Sequence, residues 1–282
     1  MTKRSGMIAA AAAALMALGA IGSAAAQDKP ITIRVGEYYP VSHTIAKIGI
    51  IPFMKAVEER SKGRVKFEFF PGEQAGKGAD LPNLIGSGVV DMGLVVPGYL
   101  PAKMPLGDVI ALPGLYSDPC VGARTYKAIM QPDRTLGKEE MSKNGLRTLF
   151  TLAVPPFELW LTKEITSLKD VKGMKIRVAT SVQDMVAREL GAVPIRMSGA
   201  EIHDAFSRGT VDGGIFAVAT VASWNIASMI KSVTRDAHVS GFAPMYAINE
   251  KRWAALPKDI QEILADESDK ITRNGCKALA EE

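Results

Sequence analysis

The residues best able to carry out chemistry in this chain are dispersed rather than clustered. The three histidines, His43, His203 and His238, lie far apart and have no partner four residues away, so the spacing of a zinc site is absent. The glycines between residues 72 and 78 are not followed by Gly-Lys-Ser or Gly-Lys-Thr, so they do not make a phosphate-binding loop. No nucleophile stands beside a base. The sequence therefore predicts a protein that is not an enzyme and needs no cofactor or metal.

A second group of candidates consists of aromatic residues close to predicted strands. Tyr38 and Tyr39 follow the first strand, Tyr99 follows the third, and Trp160 and Trp224 lie near segments expected to face a cleft. A ring with a polar tip suits a ligand pocket, but a place in the core or at a hinge explains each ring at least as well.

Two polar side chains are further candidates for ligand contacts. Gln74 lies in the loop after the second predicted strand and could donate its amide to a ligand. His43 could either cap a helix or contact the ligand.

Strands and helices alternate through the first half of the chain. Alternating apolar residues predict strands at residues 31–35 and 65–70, and the apolar run at residues 91–96 is typical of a strand buried in a parallel sheet. One helix is predicted at residues 44–61, with a kink or a late start at Pro52, and another at residues 79–85. This alternation is the pattern of an α/β sheet.

The second half repeats the alternation of strands and helices, and two pairs of short matching strings relate the two halves. Ile33-Arg34-Val35 matches Ile176-Arg177-Val178, and Gly-Val-Val-Asp-Met-Gly at residues 88–93 matches Gly-Thr-Val-Asp-Gly-Gly at residues 209–214. We predict two similar α/β domains, joined by crossover strands, with a cleft at the carboxyl ends of their parallel strands. A long C-terminal helix is predicted from residue 256 onward.

Composition and charge exclude several classes of protein. Charged residues make up 23% of the 282 positions and the net charge is only +4, so neither a disordered tail nor a nucleic-acid binder is indicated. Residues 1–26 have a basic start, an apolar run and a small-residue cleavage site, which predicts a secretory signal peptide and a location outside the cytoplasm. Cys120 and Cys276 are expected to stay unpaired, with one disulfide in an oxidising compartment as the alternative.

The ordered motifs of the mature chain resemble the DctP family, the periplasmic solute-binding proteins of tripartite ATP-independent periplasmic (TRAP) transporters. The string Gly173-Met-Lys-Ile-Arg-Val178 is the most specific of these motifs. The other matching strings lie at residues 58–67, 91–93, 96–99, 168–172, 191–194, 209–213, 249–253 and 256–261. The resemblance implies a type II-like clamshell that closes on a small organic acid and delivers it to a membrane permease.

The resemblance also implies a role for Arg177. In the family, the arginine of the Lys-Ile-Arg-Val strand makes a bidentate salt bridge to the ligand carboxylate, and a planar guanidinium fits that task. From the residues alone, pairing of Arg177 with a neighbouring Asp or Glu is the better explanation.

Two departures from the family pattern bear on the ligand. Members similar to the sialic-acid and dicarboxylate binders carry a second arginine where this chain has Phe157, and an amide-bearing run where it has Gly214-Ile215-Phe216. A second carboxylate or a sugar would lose polar partners at both places. We therefore expect a monocarboxylate with an apolar or aromatic body.

The predicted organisation is a signal peptide at residues 1–26, a first lobe of residues 27–154 plus 242–282, and a second lobe of residues 155–241. The expected partners are a small carboxylate and the TRAP permease subunits, with no nucleic acid, and the chain is expected to be a periplasmic monomer. A sensory receptor for an organic acid and a periplasmic enzyme are the alternatives.

Overall fold

The computed structural model describes residues 29–281, which form two five-stranded sheets covered by helices. The predicted signal peptide lies outside these residues. Within the described part of the chain, no helix is both long enough and apolar enough to cross a membrane. The α/β architecture predicted from the alternating pattern is confirmed.

The first sheet combines three parallel strands with two that return antiparallel. Its strand order is β2-β1-β3-β10-β4, and β1 pairs in parallel with both β2 and β3. Strand β10 runs antiparallel to β3 and β4, so a strand from late in the chain completes this sheet. The strands are β1 (Ile31–Gly36), β2 (Val65–Phe70), β3 (Met92–Val95), β4 (Leu146–Thr151) and β10 (Met245–Asn249).

The predicted helix at residues 44–61 is two helices, and the break is not at Pro52. Helix α1 (Thr44–Ile48) ends at Gly49, and α2 (Ile50–Arg60) begins immediately after it. Pro52 lies in the first turn of α2, where its missing N–H leaves no helical hydrogen bond unmade. Helices α3 (Leu81–Ser87) and α4 (Pro119–Ile129) complete the α-helices of this half.

The second sheet repeats the plan of the first. Its order is β7-β6-β8-β5-β9, with β6 parallel to β7 and β8, and β5 antiparallel to β8 and β9. The strands are β5 (Glu158–Leu161), β6 (Lys175–Val178), β7 (Val193–Arg196), β8 (Gly213–Phe216) and β9 (Ser232–Val233). The accompanying helices are α5 (Ser181–Glu189), α6 (Ile202–Ser207) and α7 (Val218–Val221).

One of the two pairs of matching strings occupies equivalent positions in the two sheets, and the other pair does not. Asp91 and Asp212 occupy equivalent places, because each accepts a 2.8 Å hydrogen bond from a backbone N–H of the neighbouring strand, that of Arg34 in β1 and that of Lys175 in β6. The equivalent of Arg34 is therefore Lys175, and the Ile-Arg-Val strings are displaced by two residues. Arg177 stands where the first half has Gly36.

Two crossing segments join the sheets. Residues 152–157 run antiparallel to residues 239–244, and Leu152, Val154 and Phe157 each donate a backbone hydrogen bond to the opposite segment. The crossover strands predicted from the sequence are therefore present as a continuous paired connection between the halves.

The C-terminal helices pack on the first half, and a disulfide fixes them there. Asn249 caps α8 (Glu250–Ala255), and α9 (Lys258–Glu281) is the expected long helix. Cys120 at the start of α4 is bonded to Cys276 near the end of α9. The expectation that these cysteines are unpaired is wrong, because α9 packs along α4 and brings together residues that are 156 positions apart.

Candidate functional site

A narrow cavity of about 30 Å³ lies between the two sheets. Tyr38 and Tyr39 reach it from just beyond β1, Arg177 from β6 and Phe216 from the last residue of β8. These strands are parallel within their own sheets, so their carboxyl ends face the cleft, where ligands sit in open α/β sheets. The full lining is Tyr38, Tyr39, Tyr99, Phe157, Arg177, Ala179, Ile202, Phe216, Thr220, Trp224 and Phe242.

Arg177 supplies the only charge in this lining, and the residue is 4% exposed. Its Nη2 donates to the carbonyl oxygen of Met197 at 3.1 Å, and its guanidinium carbon lies 5.2 Å from the ring centre of Phe216. Its buried Nε has no hydrogen-bond partner within residues 29–281. No carboxylate of the described chain forms a salt bridge with Arg177, so the alternative of pairing with a neighbouring Asp or Glu is not observed in this part of the structure.

Three tyrosines form one wall of the cavity. The ring centres of Tyr38 and Tyr39 are 4.1 Å apart, and Tyr99 meets Tyr38 edge-on at 6.3 Å. Burial raises the pKa of all three phenols, although the charge of Arg177 partly opposes this. The hydroxyls therefore stay protonated and can donate hydrogen bonds at any ordinary pH.

Two phenylalanines close the cavity on other sides. Phe157, in one crossing segment, stacks on Phe242 of the other at 5.6 Å between ring centres. Phe216 packs beneath the guanidinium of Arg177, and a Cβ on Gly214 would lie 2.3 Å from its ring. A glycine is required at position 214 for this ring to lie where it does.

Residues 36–282 match the sequence profile of the family described as bacterial extracellular solute-binding protein, family 7, also called DctP. The chain belongs to this family. The resemblance stated from the sequence motifs is thereby confirmed.

The chain is also similar to individual proteins of known sequence or structure. A solute-binding protein of Roseobacter denitrificans is 27% identical over 250 residues, covering 88% of this chain and 75% of that protein. A TRAP periplasmic solute-binding protein from Bordetella bronchiseptica, solved with bound (R)- and (S)-mandelate, has a TM-score of 0.81 at 22% identity over 89% of this chain and 80% of its own. A TRAP solute-binding protein from Rhodoferax ferrireducens, solved with copurified benzoate, has a TM-score of 0.78 at 23% identity over 89% and 81%.

Six of the nine predicted site residues line the cavity of this family 7 protein, and three do not. The six are Arg177, Phe157, Phe216, Tyr99, Tyr38 and Tyr39. Gln74 is exposed on the turn after β2. The indole Nε1 of Trp160 donates to the carbonyl oxygen of Phe216 at 3.1 Å, so Trp160 supports a lining residue from behind. His43 is buried, and its Nδ1 accepts the backbone N–H of Ile45 at 3.1 Å, which makes it the cap of α1.

Sequence reasoning missed several lining residues. Ile202 and Thr220 are ordinary positions of short helices, so no sequence signal marks them. Phe242 lies opposite Phe157 in the paired crossing segments, so it could be found only once that pairing is known. Trp224 is not one of the missed residues, because it is among the aromatic candidates predicted from the sequence, and it lines the cavity.

A buried carboxyl group behind the tyrosines was also missed. Glu37 is fully buried, and its two oxygens accept hydrogen bonds from the hydroxyl of Tyr246 at 2.6 Å and the backbone N–H of Tyr39 at 2.9 Å. Burial raises the pKa of Glu37 to about 7. Glu37 fixes the backbone of Tyr39 without touching the cavity.

Glu158, next to Phe157, does not oppose an anionic ligand. Its carboxylate accepts hydrogen bonds from the hydroxyl of Thr234 and from the backbone N–H groups of Ala237 and His238. These contacts turn its charge away from the cavity.

Proposed function

We propose that this protein is the periplasmic substrate-binding subunit of a TRAP transporter, and that it captures a small monocarboxylate with an apolar or aromatic body. The observation that carries the proposal is the buried guanidinium of Arg177, which has an unpartnered Nε and no carboxylate bonded to it in the described chain. A ligand carboxylate would accept two parallel N–H bonds from this group, and in a dry site such a pair is strong.

The rest of the lining supports a single carboxylate on an apolar body. Arg177 is the only charged residue among the lining residues, so a second carboxylate would be buried without a countercharge. The rings of Phe157, Phe216 and Trp224 offer flat apolar contacts, and the tyrosine hydroxyls offer donors for a substituent. The mandelate and benzoate bound by two family relatives are aromatic monocarboxylates, which supports the same ligand class.

Ligand entry requires the two halves to separate. A cavity of about 30 Å³ has room for a water molecule and not for an aromatic acid. We assign residues 27–154 plus 242–282 to one lobe and residues 155–241 to the other, with the crossing segments as the hinge. A ligand that contacts both lobes stabilises their closure, and the closed shape is the form that the membrane permease subunits would accept.

The proposal is tested by thermal unfolding of the mature protein with a panel of monocarboxylates, dicarboxylates and sugar acids. A ligand at 100 times its dissociation constant adds about 2.7 kcal/mol to the free energy of unfolding. We expect an aromatic or apolar monocarboxylate to give the largest shift. Arg177→Ala should abolish the shift, and Arg177→Lys should weaken it, because an ammonium group keeps the charge but loses the two parallel donors.

The matched control is Arg188→Ala, which removes an arginine paired with Asp184 on α5 of the same lobe. This variant should keep the full ligand shift. A larger shift with a dicarboxylate or sugar acid would contradict the assigned ligand class, and binding that survives Arg177→Ala would contradict the role of Arg177.

A further inference from the structure

His43 lies behind the cavity at a contact between the two lobes. Its imidazole is fully buried and stacks on Tyr39 of its own lobe with 4.1 Å between ring centres. The indole of Trp224 from the opposite lobe lies 4.5 Å from the imidazole, with the two ring planes tilted by 55°. His43 does not line the cavity, but Tyr39 and Trp224 both do. The imidazole therefore supports one cavity wall from each lobe.

The neighbouring residue, Thr44, makes a second contact between the two assigned lobes. The backbone N–H and the hydroxyl of Thr44 lie 3.2 and 2.9 Å from the hydroxyl oxygen of Ser223, which directly precedes Trp224. When the lobes separate, Trp224 and Ser223 move away from α1, and the imidazole edge that they cover becomes open to water.

The hydrogen bonds of His43 require a neutral ring. Its Nδ1 accepts the N–H of Ile45, so the hydrogen of the neutral imidazole is on Nε2. Nε2 is buried and has no hydrogen-bond partner in the described part of the chain. A protonated ring would carry hydrogens on both nitrogens, and its Nδ1–H would then point at the N–H of Ile45.

We infer that His43 is a positioning residue for the ligand site, and that the lobes close on the ligand only when its imidazole is neutral. The inference rests on the proposed function, since closure around an acid is what the ring would control. It follows that acidification favours the open form and releases the ligand.

The groups packed around His43 would not stabilise a positive charge on its imidazole. On its own helix it faces Lys47, whose charge disfavours a second cation, and from the loop after β1 it faces Tyr39, whose raised pKa keeps that phenol neutral. From the opposite lobe it faces the uncharged side chains of Ser223 and Trp224. Burial, helped by Lys47, lowers the pKa of His43 to about 3, against an ordinary value near 6.5 for a solvated imidazole.

The sign of the effect follows from these two values. Between about pH 3 and 6.5 the closed form excludes a proton that the open form binds, so lower pH favours opening. An open form with an ordinary imidazole predicts a dissociation constant about tenfold higher at pH 5.5 than at pH 7.5. Ligand binding at pH 5.5 should also release close to one proton.

The test is calorimetric titration of the mature protein with benzoate at pH 5.5 and 7.5, repeated in buffers of different ionisation enthalpy. His43→Asn should bind benzoate with the same affinity at both pH values and release no proton, because asparagine is also a good helix cap but does not titrate. His203→Asn, which changes a half-exposed histidine, should keep the tenfold difference. Glu37 also titrates near pH 7, but it is present in all three proteins and cancels in the comparison.

The outcomes of this test distinguish a failure of the His43 inference from a failure of the proposed function. Benzoate binding by the wild type that is equal at both pH values overturns this inference and leaves the proposed function intact. A purely structural role for His43 would lower stability in His43→Asn and leave the tenfold pH difference unchanged, which also overturns it. Absence of binding by the wild type to benzoate and to every other acid of the panel overturns the proposed function and this inference with it.

Discussion

A guanidinium buried among aromatic rings is stable only while its N–H groups find acceptors. In the described chain, Arg177 donates to one backbone carbonyl, and its Nε is buried without a partner. The ring of Phe216 offsets part of the cost of this burial through a cation–π contact at 5.2 Å. In the proposed function, a ligand carboxylate would supply the remaining acceptors, so binding would satisfy hydrogen-bond donors that folding leaves without partners. The main free-energy gain on binding would then come from this one side chain.

The first prediction at the scale of residues concerns Glu37. Because burial raises its pKa to about 7, the folded protein holds a proton that the unfolded chain releases above pH 4.5. Raising the pH from 4.5 through 7 therefore costs stability, by about 3 kcal/mol in total. In the wild type, His43 opposes this decline below about pH 6.5, because folding lowers its pKa and its contribution to stability therefore rises with pH. The Glu37 contribution is therefore measured as the difference between the wild type and Glu37→Gln in denaturant unfolding between pH 5 and 8.5. Glu37→Gln should lack the contribution.

The control for Glu37 is Glu262→Gln on α9, which changes an exposed carboxyl group and should keep the wild-type pH slope. Equal slopes for Glu37→Gln and the wild type would mean that Glu37 remains ionised in the folded protein, with its charge stabilised by Tyr246 and the N–H of Tyr39.

The role of a residue could be predicted from the sequence only where that residue belongs to a recognised motif. Arg34 and Arg177 occupy the same Ile-Arg-Val string, yet Arg34 bonds to Asp91 at 3.1 Å and Arg177 has no such partner in the described residues. The difference arises because the Ile-Arg-Val string lies two residues further along β6 than along β1, and such a displacement is a property of strand register. His43, Gln74 and Trp160 were chosen by type and position, and those two criteria do not fix where a side chain points.

At the scale of elements, short segments between strands and helices shape the cavity. The turn Gly199–Glu201 is fixed by a capping box in which Ser198 and Glu201 bond to each other's backbone N–H groups. A Cβ on Gly199 would lie 2.2 Å from the hydroxyl of Tyr38 in the opposite lobe and 2.4 Å from the ring of Trp224. The absence of a side chain at this turn is therefore a condition for the lobes to meet.

The contact with Tyr38 predicts that Gly199→Ala weakens ligand binding. The added methyl group meets the end of Tyr38 only when the lobes are closed, whereas it meets the ring of Trp224 within its own lobe in both forms. We expect the affinity for the preferred acid to fall about tenfold or more, which corresponds to about 1.4 kcal/mol or more. Calorimetric titration measures this loss of affinity, and thermal unfolding without ligand measures the cost of the contact with Trp224. An affinity equal to that of the wild type would contradict the contact between Gly199 and Tyr38.

Most elements were predictable from local pattern, and the misplacements have local causes. Strands β1 and β2 and the long helix α9 lie where the apolar periodicity predicts. The sequence predicts the break in the first helical segment at Pro52. Proline is tolerated in the first turn of a helix, however, and the chain departs from helical geometry at Gly49. The completion of each sheet by an antiparallel strand depends on long-range pairing, which no local pattern contains.

At the scale of the whole molecule, the two halves are joined by paired segments rather than by a flexible linker. The backbone bonds between residues 152–157 and 239–244 continue the two sheets into each other. Phe157 and Phe242 lie in these segments and also line the cavity. In the proposed function, a ligand would therefore touch the hinge as well as both lobes, and closure would be coupled to ligand contact through these two side chains.

The disulfide between Cys120 and Cys276 gives the last prediction, because it joins elements far apart in sequence but confined to one lobe. A crosslink that closes a loop of this length, 156 positions, restricts the unfolded chain strongly. Its removal typically costs 2 to 4 kcal/mol, or about 5–15 °C in Tm for a chain of this size. The double variant Cys120→Ser/Cys276→Ser should show this loss in a thermal scan and keep its affinity for acids, since neither cysteine lies near the cavity. Reduction of the wild type with a thiol should reproduce the shift, and the same reductant should leave the double variant unchanged. Loss of acid binding at temperatures where the double variant is folded would mean that the anchorage of α9 also controls the lobes.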